Sequence, residues 1–260
     1  MLGKVRLAAC LLLVFSASAW AYSETWKDKS FISKAFVQVA LRNEYNAGKY
    51  PLVKWAQPVK IWVQHDVPDK ALHDELVDLH IQHLALVTHH PIYRVSNRDE
   101  ANVTWIFTKE AKWENEVATH IGKSSLGVLN NSICIANYTT DIDTHEIIKA
   151  VIIIPVDKAH ERGKLLACIV EEITQVLGLP NDSQQAYPSI FNDETPEELL
   201  SPLDVILLSM LYDKRLKTGM QEKEVKSVIQ SILKEYEQQG VLNNAVTLSK
   251  SAPLYQLIGY

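Results

Sequence analysis

The sequence predicts a mixed α/β (α+β) fold in a single domain. Short apolar segments with strand character fill the first part of the chain, and amphipathic helices fill the second. Residues 150–154 form a continuous apolar run, which is typical of a strand covered on both faces of a sheet. No Gly/Ser/Pro-rich linker or internal repeat divides the chain. With 47% hydrophobic and 22% charged residues, the composition is that of a globular protein.

The first half of the chain alternates between helices and strands. Ser30 is the predicted cap of a first helix. Residues 58–63 alternate and predict a strand, a second helix starts at about Asp69, and residues 101–107 predict the next strand. The predicted inward residues are Phe31, Ala35, Phe36, Val39 and Ala40 on the first helix and Leu72, Leu76, Leu79 and Leu86 on the second.

Two strands and three helices follow. Residues 133–136 and 147–154 predict strands joined by the turn-rich residues 137–145, and Pro155 ends the second. A helix is predicted from about Lys164 to Leu177, with Gly178 as its left-handed end residue. Residues 201–204, Ser-Pro-Leu-Asp, form a helix start with a cap, a proline and an acidic residue. A last helix covers about residues 220–239, and Gly240 ends it.

Residues 1–21 have the features of a secretory signal peptide. Lys4 and Arg6 precede an apolar run, residues 7–15, which is too short to span a bilayer. A small-x-small cleavage site, residues 19–21, follows, so residues 22–260 are the predicted domain. Cys10 lies in a sequence similar to that of a lipidated lipoprotein cysteine. Such a cysteine should follow the apolar run, however, and most of that run comes after Cys10. We therefore expect an exported protein, with a lipid anchor as the alternative.

Charge and cysteine content limit the partners and the compartment. The formal net charge is −5, whereas a protein that binds nucleic acid favours a basic face. Cys134 and Cys168 remain after removal of the signal peptide, and an even pair in an exported protein predicts a disulfide bond. Two buried free thiols are the alternative.

The helix that starts at about Lys164 carries the most informative motif. Its sequence Glu171-Glu-Ile-Thr-Gln175 has the spacing of the zinc-peptidase pattern H-E-x-x-H, with Glu171 and Gln175 at the two histidine positions. Glu172 occupies the position of the general base. Gly178 and Asn181 fall where the longer form of the pattern has its glycine and third ligand. Periodicity alone leaves a second interpretation open, in which this polar face is solvated surface.

Two further segments resemble parts of metzincin peptidases. Residues 189–192, Ser-Ile-Phe-Asn, are similar to a Met-turn, with Phe191 at the methionine position, and residues 200–212 resemble the closing helix of matrixin-like domains. The resemblance implies a zincin-like single domain, in which a twisted sheet packs on the active-site-type helix and helices complete the C-terminal part.

A closer resemblance covers nearly the whole domain. The chain resembles the proteobacterial family known as domain of unknown function 2927. The segments that carry the resemblance are residues 36–40, 55–61, 101–103, 168–182, 200–204 and 211–220. The resemblance implies an exported protein, often with Glu-Glu-x-x-Gln in place of the two histidines. It also implies a Gram-negative envelope, so we expect the protein to be periplasmic, with secretion or a lipid anchor as alternatives. It implies no established activity.

The ligand chemistry of the motif argues against zinc hydrolysis. Catalytic zinc takes three protein ligands with imidazole well represented, whereas Glu171, Gln175 and Asn181 offer one carboxylate and two amides. With Asp182 or water, such oxygens suit a hard ion such as Ca²⁺ better. No cofactor is therefore expected, and zinc or calcium are the ions to test.

Other polar clusters give weaker predictions. His73, His80 and His83 lie on the second helix, and His80 and His83 are one turn apart, but exposed or half-buried side chains are the simpler expectation.

Two groups flank the motif helix in sequence. Asp141, Asp143 and His145 lie in a turn-rich connection, and Asp157, His160 and Glu161 precede the motif. If an imidazole from outside the motif completes a metal site, His160 or His145 is expected to supply it.

Three functions follow from these features. The first is a non-catalytic exported protein whose degenerate peptidase cleft binds an extracytoplasmic protein or peptide, or supports an envelope or cell-shape assembly. The second is an active hydrolase with an unconventional metal or a carboxylate mechanism, in which Glu172 is the catalytic base. The third is a structural domain in which Glu171 and Gln175 only bind neighbouring loops.

Overall fold

Five strands form one sheet at the centre of the computed structural model, which describes residues 25–43, 47–194 and 197–258. They are β1 (Val59–His65), β2 (Ile92–Arg94), β3 (Val103–Thr108), β4 (Ile135–Thr140) and β5 (Ile147–Pro155). Their order across the sheet is β2-β1-β3-β5-β4. The neighbouring strands are parallel, except that β4 runs antiparallel to β5 at one edge. The predicted mixed α/β class is confirmed.

Helices cover both faces of the sheet and complete the C-terminal part. Short 3₁₀ turns lie at Thr25–Lys27, Arg98–Glu100 and Lys123–Val128. The α-helices are α1 (Lys29–Ala40), α2 (Lys70–Thr88), α3 (Glu110–His120), α4 (Val156–Glu161), α5 (Leu165–Gln175), α6 (Pro202–Leu211), α7 (Glu222–Gln238), α8 (Val241–Lys250) and α9 (Pro253–Leu257).

The alternation of side chains along the strands divides the core between the two faces. Trp105 and Phe107 of β3 face the large cluster, which includes residues of α1, α2, α5, α6, α7 and α8. Ile106 of β3 and Val151 and Ile153 of β5 face a smaller cluster that α3 covers. The run at residues 150–154 is therefore buried on both faces, as its continuous apolar character predicts.

Several predicted boundaries are wrong by a few residues. Asp28, rather than Ser30, caps α1, because its carboxylate accepts the backbone N–H of Phe31 at 2.9 Å. β4 extends to Thr140, into residues predicted as a connection. The sequence did not reveal β2, α3, α4, α8 or α9. It placed Gly240 correctly at the end of a helix, but the chain re-enters a helix directly after it.

The inward face of α2 differs from the prediction. Leu72 and Leu86, predicted to be inward, are 44% and 55% exposed. His73, His80 and His83 are instead 0%, 2% and 2% exposed, so the expectation of exposed or half-buried histidines is wrong. Leucine and histidine positions both repeat with helical spacing, and tertiary packing selects the face that holds the histidines.

The predicted signal peptide, residues 1–21, lies outside the described residues. Within the described part of the chain, no helix is both long enough and apolar enough to cross a membrane.

Candidate functional site

The motif residues lie on α5, which is fixed at both ends. The apolar face of α5 is buried, with Ile169 and Ile173 at 0% exposure. At its C-terminal end, Trp55 Nε1 donates to Val176 O at 2.8 Å and the hydroxyl of Tyr212 donates to Leu177 O at 3.0 Å. These two bonds satisfy carbonyls that the last turn of a helix leaves without partners.

Gly178 fixes the turn after α5. Its φ is +121°, and a Cβ at this position would lie 2.3 Å from the carbonyl oxygen of Val53. Only glycine fits this close approach of the two backbones. The turn directs the following residues 179–182 back toward α1 and α5.

A disulfide bond joins α5 to the segment that leads into β4. Cys134 and Cys168 are bonded, with their Cα atoms 5.9 Å apart. The predicted bond is confirmed, and the alternative of two free thiols is wrong. The bond holds residues 131–134 next to the polar face of α5.

The space between these elements is a cleft of about 300 Å³. One wall is residues 131–134, the second is the polar face of α5, and the third comes from residues after the helix. The lining residues are Asn131, Ser132, Ile133, Cys134, Lys164, Ala167, Cys168, Glu171, Glu172, Gln175, Asp182, Ile190, Asn192, Asp193 and Glu197.

The cleft is strongly acidic. Five of its lining residues carry carboxyl groups, and Lys164 is the one lysine or arginine among them. One carboxylate oxygen each from Glu171, Asp182 and Asp193 lies within 4.8 Å of the other two. Like charges at this separation repel, so the cleft favours a positively charged ligand.

The two amides of the motif act as donors. Gln175 Nε2 donates to Asp182 Oδ1 at 3.1 Å and lies 3.4 Å from Glu171 Oε1. Asn181 Nδ2 donates to Gln38 O at 2.9 Å and to Asp182 O at 2.8 Å. Asn181 thus ties the loop to α1, and it does not line the cleft.

Glu172, the candidate base, is 6% exposed and lines the cleft. Glu171 and Gln175 are half-buried beside it. The polar face of α5 is therefore a wall of the cleft, and the simpler expectation of a solvated surface is wrong for Glu172 and for Cys168.

The segment predicted as a Met-turn, residues 189–192, lies partly in the lining of the cleft and partly in the core beside it. Phe191 is 0% exposed, and its neighbours Ile190 and Asn192 line the cleft. Asp204 anchors this segment to the start of α6, because its carboxylate accepts Ser189 Oγ at 2.5 Å and the N–H of Ile190 at 3.1 Å. Complete burial raises the pKa of Asp204 to about 6, against the hydrogen bonds that favour its charged form.

The histidines that the sequence placed one turn apart do not share a ligand. His80 Nε2 lies 3.2 Å from Val170 O, whereas His83 Nε2 lies 3.0 Å from Leu248 O.

The other predicted groups also lie outside the cleft lining. Asp141 closes the β4–β5 turn by accepting the N–H of Thr144 at 2.8 Å. Asp157 accepts the N–H of Glu110 at 2.8 Å at the start of α3. His145 packs against Gly219, and His160 is exposed on α4. Asp143 and Glu161 are exposed and belong to the same two groups.

This donor set does not fit zinc. No histidine lines the cleft in the described part of the chain, and its cysteines are bonded to each other. The oxygens of Glu171, Asp182 and Asp193 match the ligands of a hard cation such as Ca²⁺. Without imidazole or thiolate ligands, Glu172 has no zinc-bound water from which to take a proton.

Sequence reasoning missed Asp193 and Glu197. Asp193 directly follows the Met-turn-like residues 189–192, so its position next to that motif was the available signal. Glu197 had no such signal, since only the path of the loop brings it to the cleft.

Comparison with known proteins gives one family. The family described as "Protein of unknown function (DUF2927)" matches residues 29–231, which include the sheet, α5 and α6. No curated protein matches the chain, and no solved structure matches it.

Proposed function

The chain belongs to the DUF2927 family, and from this premise we propose that it is an exported binding protein without peptidase activity. Its acidic cleft would hold an extended segment of a protein partner in the cell envelope. This function is the first of the three that follow from the sequence. The acidic lining of the cleft adds the prediction that the bound segment is positively charged.

The single observation that carries this proposal is the donor set of α5. The sequence of the helix resembles that of a zinc-peptidase active-site helix, but the helix presents carboxylates and an amide to the cleft. A site of this kind attracts positive charge and lacks the Lewis acid that a metallopeptidase needs. Binding without cleavage is the function that such groups support.

The edge of the sheet supports an extended partner. β4 is the last strand on its side, and residues 131–134, which lead into it, form one wall of the cleft. An exposed edge strand offers backbone N–H and C=O groups to a further strand. A partner strand beside β4 would place a lysine or arginine side chain near the carboxylates.

The proposed compartment is the periplasm. The signal-peptide features of residues 1–21 support export, and the Cys134–Cys168 disulfide agrees with an oxidising environment. A secreted or lipid-anchored form is the alternative that the same features allow.

The test uses the protein exported to an oxidising compartment and a library of extended peptides. We expect the bound peptides to be enriched in lysine or arginine. We expect Glu171→Lys to weaken binding roughly tenfold, because a desolvated charge pair becomes a repulsive one. Glu75→Lys is the matched control, since Glu75 is exposed on α2 away from the cleft. Equal binding by acidic and basic peptides would contradict the proposal.

Catalysis is tested on the same preparation. We expect no cleavage of the bound peptides, with or without added metal. Metal-dependent cleavage that Glu172→Gln abolishes would overturn the non-catalytic role and favour the hydrolase.

The carboxylate triad gives a second ligand class for the same cleft, a hard divalent cation. Metal content of protein purified without chelator or metal-affinity columns separates the cases. We expect calcium, if any ion, to bind, and Asp182→Asn to weaken calcium binding, because it removes one anionic oxygen. One zinc per chain would show that the donor-set argument is wrong.

A further inference from the structure

Helix α2 buries three histidines, and each faces a different element. His73 is 0% exposed, and His80 and His83 are each 2% exposed. Buried polar side chains are normally hydrogen-bonded, and a charged imidazole in such a position is costly. The contacts of each ring therefore decide how α2 responds to protonation.

His73 lies where β1 and β3 end. Its ring stacks on Phe107 of β3, with the centroids 4.5 Å apart, and lies 5.8 Å from the ring of His65 of β1. Within the described residues, three ring nitrogens have no hydrogen-bond partner. They are Nδ1 and Nε2 of His73 and Nδ1 of His65. The packing at this point is therefore built for uncharged rings.

His80 and His83 hold α2 against two other helices. His80 Nε2 donates to Val170 O of α5 at 3.2 Å, and His83 Nε2 donates to Leu248 O of α8 at 3.0 Å. One protonated nitrogen per ring is enough for these bonds, so a neutral imidazole satisfies them.

The charged groups differ between His65 and His73, which have carboxylates near them, and His80 and His83, which do not. His65 Nε2 lies 2.9 Å from Asp74 Oδ1, which favours the charged ring, whereas Lys70 of α2 and Arg94 of β2 disfavour it. Asp74 also pairs with Arg94 at 2.8 Å.

His73 faces Asp69 and Asp74 of its own helix, His65 of β1 and His160 of α4. His80 faces His83, and among the residues that the structure describes no charged group faces His83. A proton on His80 or His83 would therefore lie in the core without a carboxylate beside it.

We propose that α2 is an acid-responsive latch. Uncharged imidazoles hold this helix against the ends of β1 and β3, against α5 and against α8, and their protonation in mildly acidic conditions releases it. This device is separate from the proposed binding role. It is connected to the cleft because α2 supports the back of α5 through His80.

The sign of the effect follows from burial. Desolvation lowers the pKa of His65, His73, His80 and His83 in the folded protein, and it lowers the pKa of His80 to about 3. A released ring titrates near its ordinary pKa of about 6.5. The stabilisation of the closed α2 by these neutral rings is therefore fully present above pH 6.5 and is lost as the pH falls. For His80 alone, the opening equilibrium at pH 5 increases roughly 30-fold.

Amide hydrogen exchange of the purified wild-type protein at pH 7.5 and pH 5.0 tests the proposal, after correction for the intrinsic effect of pH. We expect the opening constant of amides in α2 to rise at least tenfold at pH 5.0 and to stay above that of amides in β3 and β5, which exchange only on global unfolding. Unchanged protection of α2 would overturn the proposal. So would equal opening constants of α2, β3 and β5 at pH 5.0, which would show that α2 opens only by global unfolding.

A matched pair of variants identifies the groups. His80→Leu should reduce the ratio of opening constants between the two pH values by roughly tenfold or more, since its ring no longer titrates. His89→Asn removes an exposed histidine at a left-handed position that asparagine tolerates, and it should leave the ratio unchanged. An unchanged ratio in His80→Leu contradicts the proposal. If His80→Leu does not fold, the wild-type exchange decides the question.

Discussion

Gln175 and Asn181, the two residues that the sequence pattern places at metal-ligand positions, act as hydrogen-bond donors in the structure. Both side chains donate N–H groups, Gln175 to the carboxylate of Asp182 and Asn181 to two backbone carbonyls. The amide of Gln175 therefore reduces the repulsion between the carboxylates of Glu171 and Asp182. Without this amide, a bound cation would be needed to reduce it. We therefore expect this amide to contribute to the stability of the folded cleft.

Gln175→Glu tests that role. The change removes the N–H donor and adds a carboxylate beside Glu171 and Asp182, so we expect the free energy of unfolding to fall by about 1–3 kcal/mol. Calcium should restore part of the loss. Urea unfolding with and without calcium measures both effects, and Gln185→Glu, at an exposed position nearby, is the control. A variant as stable as the wild type would show that the amide bonds contribute little.

Gly178 gives a second prediction for a single residue. Gly178→Ala places a Cβ 2.3 Å from Val53 O at a φ of +121°, so we expect a loss of more than about 2 kcal/mol. Gly240→Ala is the control, since Gly240 also has a positive φ but nothing lies within 4 Å of its Cβ. Thermal unfolding compares the two, and equal losses would show that backbone conformation alone sets the cost.

At the scale of elements, α5 is a rigid support for the acidic groups. The disulfide fixes its first turns, Trp55 and Tyr212 bind its last carbonyls, and His80 of α2 binds Val170 O. Side chains on a helix held in this way keep their separation whether or not a ligand is present.

Loss of the disulfide should therefore affect both stability and the cleft. The bond closes a loop with a sequence separation of 34 residues. In the chain-entropy model, Cys134→Ser with Cys168→Ser lowers the free energy of unfolding by about 3 kcal/mol. Urea unfolding of the double variant measures this loss. The untreated wild type and the wild type reduced with dithiothreitol are the references, and a loss below about 1 kcal/mol would mean that native packing already closes the loop.

At the scale of the whole molecule, the buried ionisable groups have opposing effects on stability. The histidines of β1 and α2 have lowered pKa values, so their contribution is lost as the pH falls below 6.5. Asp204 has a pKa raised to about 6, so its folded form binds the proton more tightly. Its contribution therefore increases as the pH falls toward 4.

We expect the histidines to outweigh Asp204. Between pH 7 and pH 5.5 the free energy of unfolding should fall by about 1–3 kcal/mol. Asp204→Asn should make this fall steeper, because it removes the opposing contribution. Urea unfolding at several pH values measures both slopes. A free energy of unfolding that rises on acidification would mean that carboxylates, rather than imidazoles, dominate.

The sequence predicted features whose causes are local. The cap at Ser201, the turn at Gly178 and the buried run at residues 150–154 depend on their own residues and neighbours, and the structure has all three. The buried face of α2 could not be predicted in this way, because leucines and histidines both repeat with helical spacing. The acidic cleft was predicted only in part, since Asp193 and Glu197 reach it through the path of a loop.

The position of the disulfide also sets an order of events. Its two sulfur atoms belong to facing walls of the cleft, so the walls are joined only after both thiols have been oxidised. A newly made, reduced chain has the acidic residues but no covalent link that fixes their distance from residues 131–134. Completion of the cleft therefore follows oxidation, and a chain kept in a reducing environment would lack the link between these two walls.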